Sequence, residues 1–409
     1  MLASRNTLLI AALLACFTSS AFSQGVFLTG VGGINRSMGG ATMAAPIDSM
    51  GTLHWNPAAI RGLESSEVAF SAEIMLLDQE LTAGGITARD ESGVAPIPSI
   101  GWVHHLEGTT DTIGLGMYSF AGFGQNMPAV VGHPILDPVG IGALAGTPLG
   151  PLYSEAQFFQ IVPTFSRAVT DRLSIGFAPT INLGRVEIDP IPFLTPALGA
   201  PGAGTRWSWG IGAQVGLYYE QSETTSYGFS IKSPQWFEEF RTHTVAASAP
   251  TVSRLKLDLP MIISAGIAYK GLPCWTFALD VRYFDYKNTD GFGKPDINGT
   301  ELHWDNVFSV AFGAQRKVND QLTIRGGYTY NTSPIDVATV QFNFASPLIQ
   351  QHVVGLGASY RFTDNVDFSM SYIQILEADR HGPSPLFGTI SNQVATYSLA
   401  AGVTVRYGN

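Results

Sequence analysis

The sequence predicts an all-β fold, a 14-stranded antiparallel transmembrane barrel with an N-terminal plug in its lumen. Three observations carry that expectation. From about Ser66 to the end, segments of alternating polarity recur, joined by connections that are alternately tight and long. Such connections belong to a closed barrel, with turns on the periplasmic side and loops outside. Charge is sparse: 13% of residues are charged, against roughly 25% in soluble domains. The mean hydropathy is +0.16, yet after residue 23 no run approaches the ~20 apolar residues of a membrane helix. Apolar content without apolar runs is what alternation produces. The net charge of −10 speaks against a nucleic-acid partner, which would want a basic face.

In chain order, Arg5, the apolar run Leu8 to Ala15 and then Ala21-Phe22-Ser23 read as a secretory signal peptide over residues 1–23, cut before Gln24. Leu13-Leu14-Ala15-Cys16 admits a second reading, a lipoprotein cleavage box with Cys16 lipidated. If Cys16 leaves with the signal, Cys274 is the one remaining thiol and no intramolecular disulfide can form. Residues 24–65 lack strand alternation and are rich in Gly, Ala, Met and Ser, so they read as a compact, irregular or short-helical segment. Strands are expected over 66–80, 97–106, 112–120, 155–168, 172–188, 206–220 and 226–233. The second half supplies 254–270, 274–287, 304–317, 321–331, 350–362, 366–377 and 393–407. Turn residues fill the short connections, as at Glu107 to Asp111, Val318 to Asp320 and Thr363 to Asn365. Segments rich in Pro, Gly and Ala, such as 121–154 and 234–253, make the long ones.

The last strand shows the period most clearly. Tyr397, Leu399, Ala401, Val403, Val405 and Tyr407 share one face; Thr396, Ser398, Ala400, Gly402, Thr404 and Arg406 share the other. An apolar face for lipid and a small or polar face for the lumen is what a bilayer demands. Tyr218, Tyr269, Tyr283, Tyr328, Tyr360, Tyr372 and Tyr407 lie near strand ends, where aromatic girdles sit. An even number of strands puts residues 24–65 and the C-terminus on the same, periplasmic side. Barrels of about eight strands fill with their own side chains, and those of about sixteen leave a water channel. The predicted barrel therefore has a lumen to fill, and residues 24–65 are the spare material.

Short motifs add to this. Gly39-Gly40-Ala41 and His54-Trp55-Asn56-Pro57-Ala58-Ala59 stand in the N-terminal segment. In the barrel come Val162-Pro163 with Ser166-Arg167, Tyr227-Gly228 leading to Lys232-Ser233-Pro234, and Leu259-Pro260 followed by Gly266-Ile267-Ala268-Tyr269. Ala278-Leu279-Asp280-Val281, Arg325-Gly326-Gly327-Tyr328 with Ser333-Pro334, and Gly355-Leu356-Gly357 with Tyr360-Arg361 complete the series. In this order and spacing they resemble the FadL/TodX family of outer-membrane transporters for hydrophobic compounds, over essentially the whole chain after the signal. The resemblance implies a barrel with an N-terminal hatch, moving long-chain fatty acids or aromatic hydrocarbons inward without an energy source. It assigns Gly39, Gly40, Asn56, Pro57 and Ala58 to the hatch, and it implies a third strand kinked inward so that substrate slips into the membrane. Two departures stand out. Gly408-Asn409 follow Tyr407 where such barrels end on an aromatic residue read by the assembly machinery. Arg185 lies where fatty-acid members place a basic side chain, but Glu187 and Asp189 accompany it, which leaves a neutral hydrocarbon as open as a fatty acid.

The residues themselves single out further candidates. Between Gly114 and Gly124, glycines interrupt a strand pattern, which favours a bulge or bend. A bend would break pairing with a neighbour and open a lateral gap, so Phe120, Gly122, Phe123 and Gly124 are assigned to the substrate path. Phe27 joins them if it reaches into the lumen to cap an apolar pocket; a disordered terminus is the other reading. Asn56-Pro57 is expected to stop a short helix and hold it by side-chain hydrogen bonds. Asp280, Arg282, Arg325, Arg361 and Asp367, with Arg185, are expected as lumen charges whose pairing anchors the plug, since unpaired charge in a confined space is costly. There is no Gly-x-Ser-x-Gly, His-Glu-x-x-His or phosphate-binding glycine loop, so no catalytic residue, cofactor or metal is assigned. Gly30-Val31-Gly32-Gly33 reads as a flexible tether, His104-His105 as strand residues facing opposite ways, and Asp296-Ile297-Asn298-Gly299 as a surface turn.

The function these features favour is a passive channel for hydrophobic small molecules. A general porin for small hydrophilic solutes is the alternative, told apart by whether the plug limits ion conductance. A barrel lipase would need a nucleophile–base pair, and an adhesive barrel would need larger outer loops. The expected partners are the hydrophobic solute, outer-membrane lipid and lipopolysaccharide, and the barrel-assembly machinery, with the protein a monomer.

Overall fold

Alternating polarity becomes a closed wall. In a computed structural model, which describes residues 24–137, 150–190, 202–246, 249–299 and 301–408, the first barrel strands are β1 (Ser66–Ala83), β2 (Val94–His105), β3 (Asp111–Met127), β4 (Leu152–Ala168), β5 (Leu173–Asp189), β6 (Ser208–Glu220) and β7 (Thr225–Lys232). The ring continues through β8 (Ile262–Tyr269), β9 (Trp275–Phe284), β10 (Val307–Lys317), β11 (Leu322–Asn331), β12 (His352–Thr363), β13 (Val366–Ser384) and β14 (Gly388–Tyr407). Each strand pairs antiparallel with its neighbour in the chain, and β14 pairs with β1, closing a 14-stranded barrel. Closure gives every strand two neighbours, so most backbone groups are paired within the wall. The signal-peptide reading, with Cys16, lies outside the described residues.

The two faces separate as the period requires. In β1, Phe70, Ile74 and Leu76 are exposed outward, while Ala69, Ser71 and Glu73 are buried. In β14, Tyr397, Leu399 and Val405 face out, and Thr396, Ser398 and Thr404 are buried. Leu399 stands directly beside Ile74 on one side and Tyr372 on the other, so the lipid face is built of cross-strand apolar neighbours. Tyr218 departs from the predicted girdle: it turns inward and packs on Ala58 and Ala59.

Strand ends differ from expectation in three places. The third strand, predicted over 112–120, continues to Met127, into what was read as loop 121–154. The predicted strand 254–270 divides. Ala249–Leu255 joins Phe240–Ala246 and Gly202–Thr205 in a separate three-stranded sheet, and β8 begins only at Ile262. Pro260 lies between them and withholds a ladder donor. β13 and β14 extend past 377 and 393 to a hairpin closed at Ser384 and Gly388. Asp379, Arg380 and His381 lack an apolar face there, so a pattern tuned to lipid does not register them.

Residues 24–65 are buried almost throughout. They form two short helices, α1 (Gly33–Ser37) and α2 (Ser49–Trp55), and a 3₁₀ turn at Ala59–Gly62. Asp48 caps α2 by accepting from the Gly51 N–H at 3.0 Å. Gly30 to Gly33 is not a loose tether: all four are buried, and Gly33 opens α1. α1 contacts β11 to β14 and β1, α2 contacts β1 to β4, and the 3₁₀ turn contacts β3 to β6. Met43 and Ala44 meet β7, β8 and β9 through Gly228, Ser226, Gly266 and Asp280.

Candidate functional site

The seam between β2 and β3 is broken along part of its length. β2 and β3 pair only from His105 and Thr112 to Ser99 and Tyr118. Beyond that point β2 stays paired to β1 as far as Val94, and β3 to β4 as far as Met127, but not to each other. The strand thus runs on where the sequence suggests an interruption, and the break lies in its pairing with β2. A bulge bends it: the register with β4 shifts between Ser119 and Ala121, with Phe120 the extra residue, fully buried. A Cβ on Gly122 would sit 2.5 Å from the Ala156 carbonyl oxygen of β4, so the strands approach this closely only with glycine there. Gly124 is different: a Cβ there would meet only Leu77, at an ordinary 3.5 Å.

Other groups take up part of the bare edge. The Gly122 N–H donates to Val26 O at 2.9 Å, and the Leu28 N–H to Phe120 O at 3.0 Å. Farther along β3, Gln79 Nε2 donates to Gly124 O at 2.6 Å and the Glu91 N–H to Asn126 O at 2.8 Å. Facing them on β2 are Pro96 and Pro98, which sequence reasoning passed over. Two residues apart, they withhold their N–H groups from the same edge, and an unpaired edge is where a strand tolerates proline. That Pro-x-Pro inside an alternating segment was the available clue.

A cavity of about 460 Å³ adjoins the break, lined there by Pro96, Pro98, Phe123 and Gly124. Phe27 also lines it, and its ring packs 5.4 Å from that of Phe284 and 5.8 Å from that of Phe120. The reading of Phe27 as part of a disordered terminus is thereby corrected. Among the described residues lining the cavity there is no lysine, arginine or histidine, and the ionisable ones are Glu73 and Glu155. Glu73 pairs with the buried Arg36. Glu155 accepts from Tyr153 at 2.9 Å and from Gln157 at 2.8 Å, with Arg185 at 3.8 Å. Arg185 also pairs with Glu187, so its charge is shared between two carboxylates.

Many wall side chains hold the N-terminal segment, among them Glu73 on Arg36, Ser230 on Trp55 O and Lys232 on His54 O, and two clusters gather residues singled out from the sequence. At the first, Asp280 Oδ2 accepts from the N–H groups of Thr42 (2.9 Å) and Met43 (3.0 Å) and pairs with Arg282 at 2.7 Å. Arg282 donates to Gly40 O at 2.6 Å and lies 3.7 Å from the Trp55 ring centre. Gly39 and Gly40, with φ of 64° and 79°, make the turn that brings this backbone to the pair. At the second cluster Asn56 ends α2. Its Nδ2 donates to Met43 O (2.9 Å) and to Leu217 O of β6 (3.0 Å), and its Oδ1 accepts from the Ala58 N–H (3.1 Å). Gly176 and Gly216 leave the wall bare beside Asn56-Pro57-Ala58: a Cβ would fall 2.3 Å from Ala58 N and 2.2 Å from Asn56 Oδ1.

The remaining predicted charges do not join these clusters. Arg325 donates to Gln315 and Ser359, each at 2.7 Å. Asp367 pairs with Arg406 at 2.7 Å and Arg361 at 3.6 Å, within the wall rather than onto the N-terminal segment. Within that segment, burial pushes the Asp48 carboxyl up to about 7, against the Gly51 N–H that favours its charged form. Burial, then Lys232 and Arg282, hold His54 well below the usual imidazole range. His105 bonds Thr112 and Leu63 O, and His104 stacks between Trp102 and Tyr407. Asn298 N donates to Asp296 Oδ1 in a local turn.

Residues 150–401 match the family described as outer membrane protein transport protein (OMPP1/FadL/TodX). The chain belongs to this family. Outer membrane protein P1 of Haemophilus influenzae is 25% identical over 247 residues, 56% of this chain and 52% of that protein. The chain thus spans about half the length of that relative. In three dimensions a Pseudomonas aeruginosa FadL homologue superposes with a TM-score of 0.72 at 15% identity, over 94% of this chain and 100% of that one. The toluene transporter TodX of P. putida does so with a TM-score of 0.70 at 14% identity, over 93% and 100%. The Ralstonia pickettii toluene transporter TbuX gives 0.66 at 15% identity, over 93% and 99%. At these identities the structural likeness speaks for the barrel alone, and the family membership places the chain among outer-membrane transport proteins.

Proposed function

We propose that this barrel is a passive outer-membrane channel through which hydrophobic small molecules, long-chain fatty acids or aromatic and aliphatic hydrocarbons, enter the cell. One observation carries the reading: the apolar cavity adjoins the place where β2 and β3 part. In this reading residues 24–65 are a hatch that fills the lumen, and the solute leaves sideways into lipid past Phe123 and Gly124. The physics favours that exit. Re-exposing apolar surface to water costs about 25 cal/mol per Å². A solute of ~250 Å² would thus meet about 6 kcal/mol at an aqueous exit, about four decades in rate. A lateral exit avoids most of that. Relatives named as toluene transporters support a neutral hydrocarbon, as does the sharing of Arg185 between two carboxylates.

A porin for hydrophilic solutes would need a wet lumen, and the burial of residues 24–65 against strands on every side speaks against it. The test pairs two assays on the same protein. Uptake of radiolabelled toluene and oleate is followed in cells lacking their own channels, and single-channel ion conductance is measured in planar bilayers. Saturable uptake of either solute with conductance far below that of an open porin supports the reading. Porin-sized conductance without such uptake refutes it.

A further inference from the structure

The two ends of the cavity differ in chemistry. Toward the break the apolar lining of Phe123, Pro96 and Pro98 stands beside Gln79, Glu155 and Gln157, whose amides and carboxylate are engaged with Gly124 O, Tyr153 and one another. At the far wall, Gln24 Nε2 donates to Ser309 Oγ at 2.9 Å, and Ser309 is the direct cross-strand neighbour of Asn331. Asn331 Nδ2 faces the Gln351 carbonyl oxygen at 3.3 Å, which fixes the orientation of the amide, because only the NH₂ side can face a carbonyl. Asn331 Oδ1 and Gln24 Oε1 are then left without hydrogen-bond partners, on residues 1% and 2% exposed that both line the cavity. Thr29 and Ser119, which also line it, carry unpartnered hydroxyl oxygens. Buried acceptors without donors are costly, and their gathering around one cavity calls for a ligand that supplies the missing hydrogens.

Resting on the channel reading above, we infer that the cavity selects neutral amphiphiles, an apolar body carrying a hydroxyl donor, with the hydroxyl at the Asn331 and Gln24 end. A plain hydrocarbon fits the apolar end and leaves the acceptors unpaired. A carboxylate brings only acceptors to them and finds no cationic side chain among the described lining residues. A phenol or an alkanol answers both halves of the cavity. Sites built to hydrogen-bond a substrate hydroxyl discriminate against analogues lacking it.

The test is equilibrium binding of p-cresol, toluene and p-toluate to the full chain in one detergent, so that partition into micelles cancels between variants. Relative to wild type, Asn331→Leu is expected to lower the p-cresol-to-toluene affinity ratio by about tenfold or more. Gln24→Leu, away from the strand wall, should lower it too, and keeps the test open if the first variant fails to fold. Heat-modifiable gel mobility reports folding. A ratio unchanged in the folded variants overturns the inference, as does p-toluate binding wild type as tightly as p-cresol. Both results leave toluene binding, and so the channel reading, standing. No binding of any of the three to wild type would overturn this inference too, while the channel reading stands or falls on the paired uptake and conductance assays.

Discussion

Replacing Asp280 with alanine should unseat the N-terminal segment while leaving the wall intact. The side chain is fully buried and does three things: it accepts from the N–H groups of Thr42 and Met43, and it neutralises Arg282. Removing one partner of a buried pair costs about 3–5 kcal/mol, because the other charge stays behind uncompensated. Each backbone N–H left without an acceptor adds about 1–3 kcal/mol unless water reaches it. Even the lower figure shifts an equilibrium between seated and unseated states by about two decades. The ladder of β9 uses backbone groups and does not need the carboxylate, and alanine already faces inward nearby at Ala278 and Ala311. The assay is single-channel conductance in planar bilayers, with gel mobility as the check on the barrel. Wild type is expected to be nearly closed to ions, and Asp280→Ala to show frequent large openings. Adding Arg282→Met should restore much of the closure, since it removes the stranded charge. A folded Asp280→Ala protein that conducts like wild type, with residues 24–65 equally protected from protease, would refute the reasoning.

Gly122→Val is expected to lower the yield of folded barrel sharply, because its Cβ would fall 2.5 Å from the Ala156 carbonyl oxygen; a normal yield would show that β3 and β4 yield more easily than argued. Seating of the N-terminal segment should also depend on pH through Asp48, whose carboxyl is raised from 3.8 to about 7. The folded state holds a proton that the unfolded segment releases, so this contribution is full below about pH 4 and is lost as pH rises to about 7. The slope is at most about 1.4 kcal/mol per pH unit. Protease protection of residues 24–65 should therefore be greater at pH 5 than at pH 8, and Asp48→Asn should flatten the difference. Equal protection of wild type at both values would count against the buried acid.

Much of the wall was legible because a bilayer imposes a period of two on every strand, and residues such as Leu399 and Ser398 obey it without exception. Legibility stopped where lipid stops. The outer hairpin of β13 and β14 carries Asp379, Arg380 and His381, for which no apolar face is required. The strand predicted over 254–270 failed at Pro260, whose missing donor was in plain view. The site was half visible. Glycines marked the bend at β3, but not that Gly122 permits a close approach while Gly124 has room for a Cβ in ordinary contact with Leu77, since that depends on Ala156 and Leu77 across the sheet. Charges were readable as inward-facing. Which of them grips the N-terminal segment was not, because Asp280 and Asp367 look alike in sequence and differ only in whether backbone N–H groups from residues 42–43 arrive beside them. Asn331 gave no sign at all, being an ordinary polar residue at a strand end until Gln24 comes to its neighbour.

The claim that solute leaves through the β2–β3 break is tested most directly by filling it. Gly124→Val adds branched methyl groups beside Leu77, with no clash against backbone. Initial rates of labelled toluene uptake should be compared with equilibrium binding of toluene to the same purified variant. The account expects a folded barrel that still binds toluene and takes it up many-fold more slowly than wild type. Uptake at the wild-type rate, with binding intact and the break filled, would contradict it.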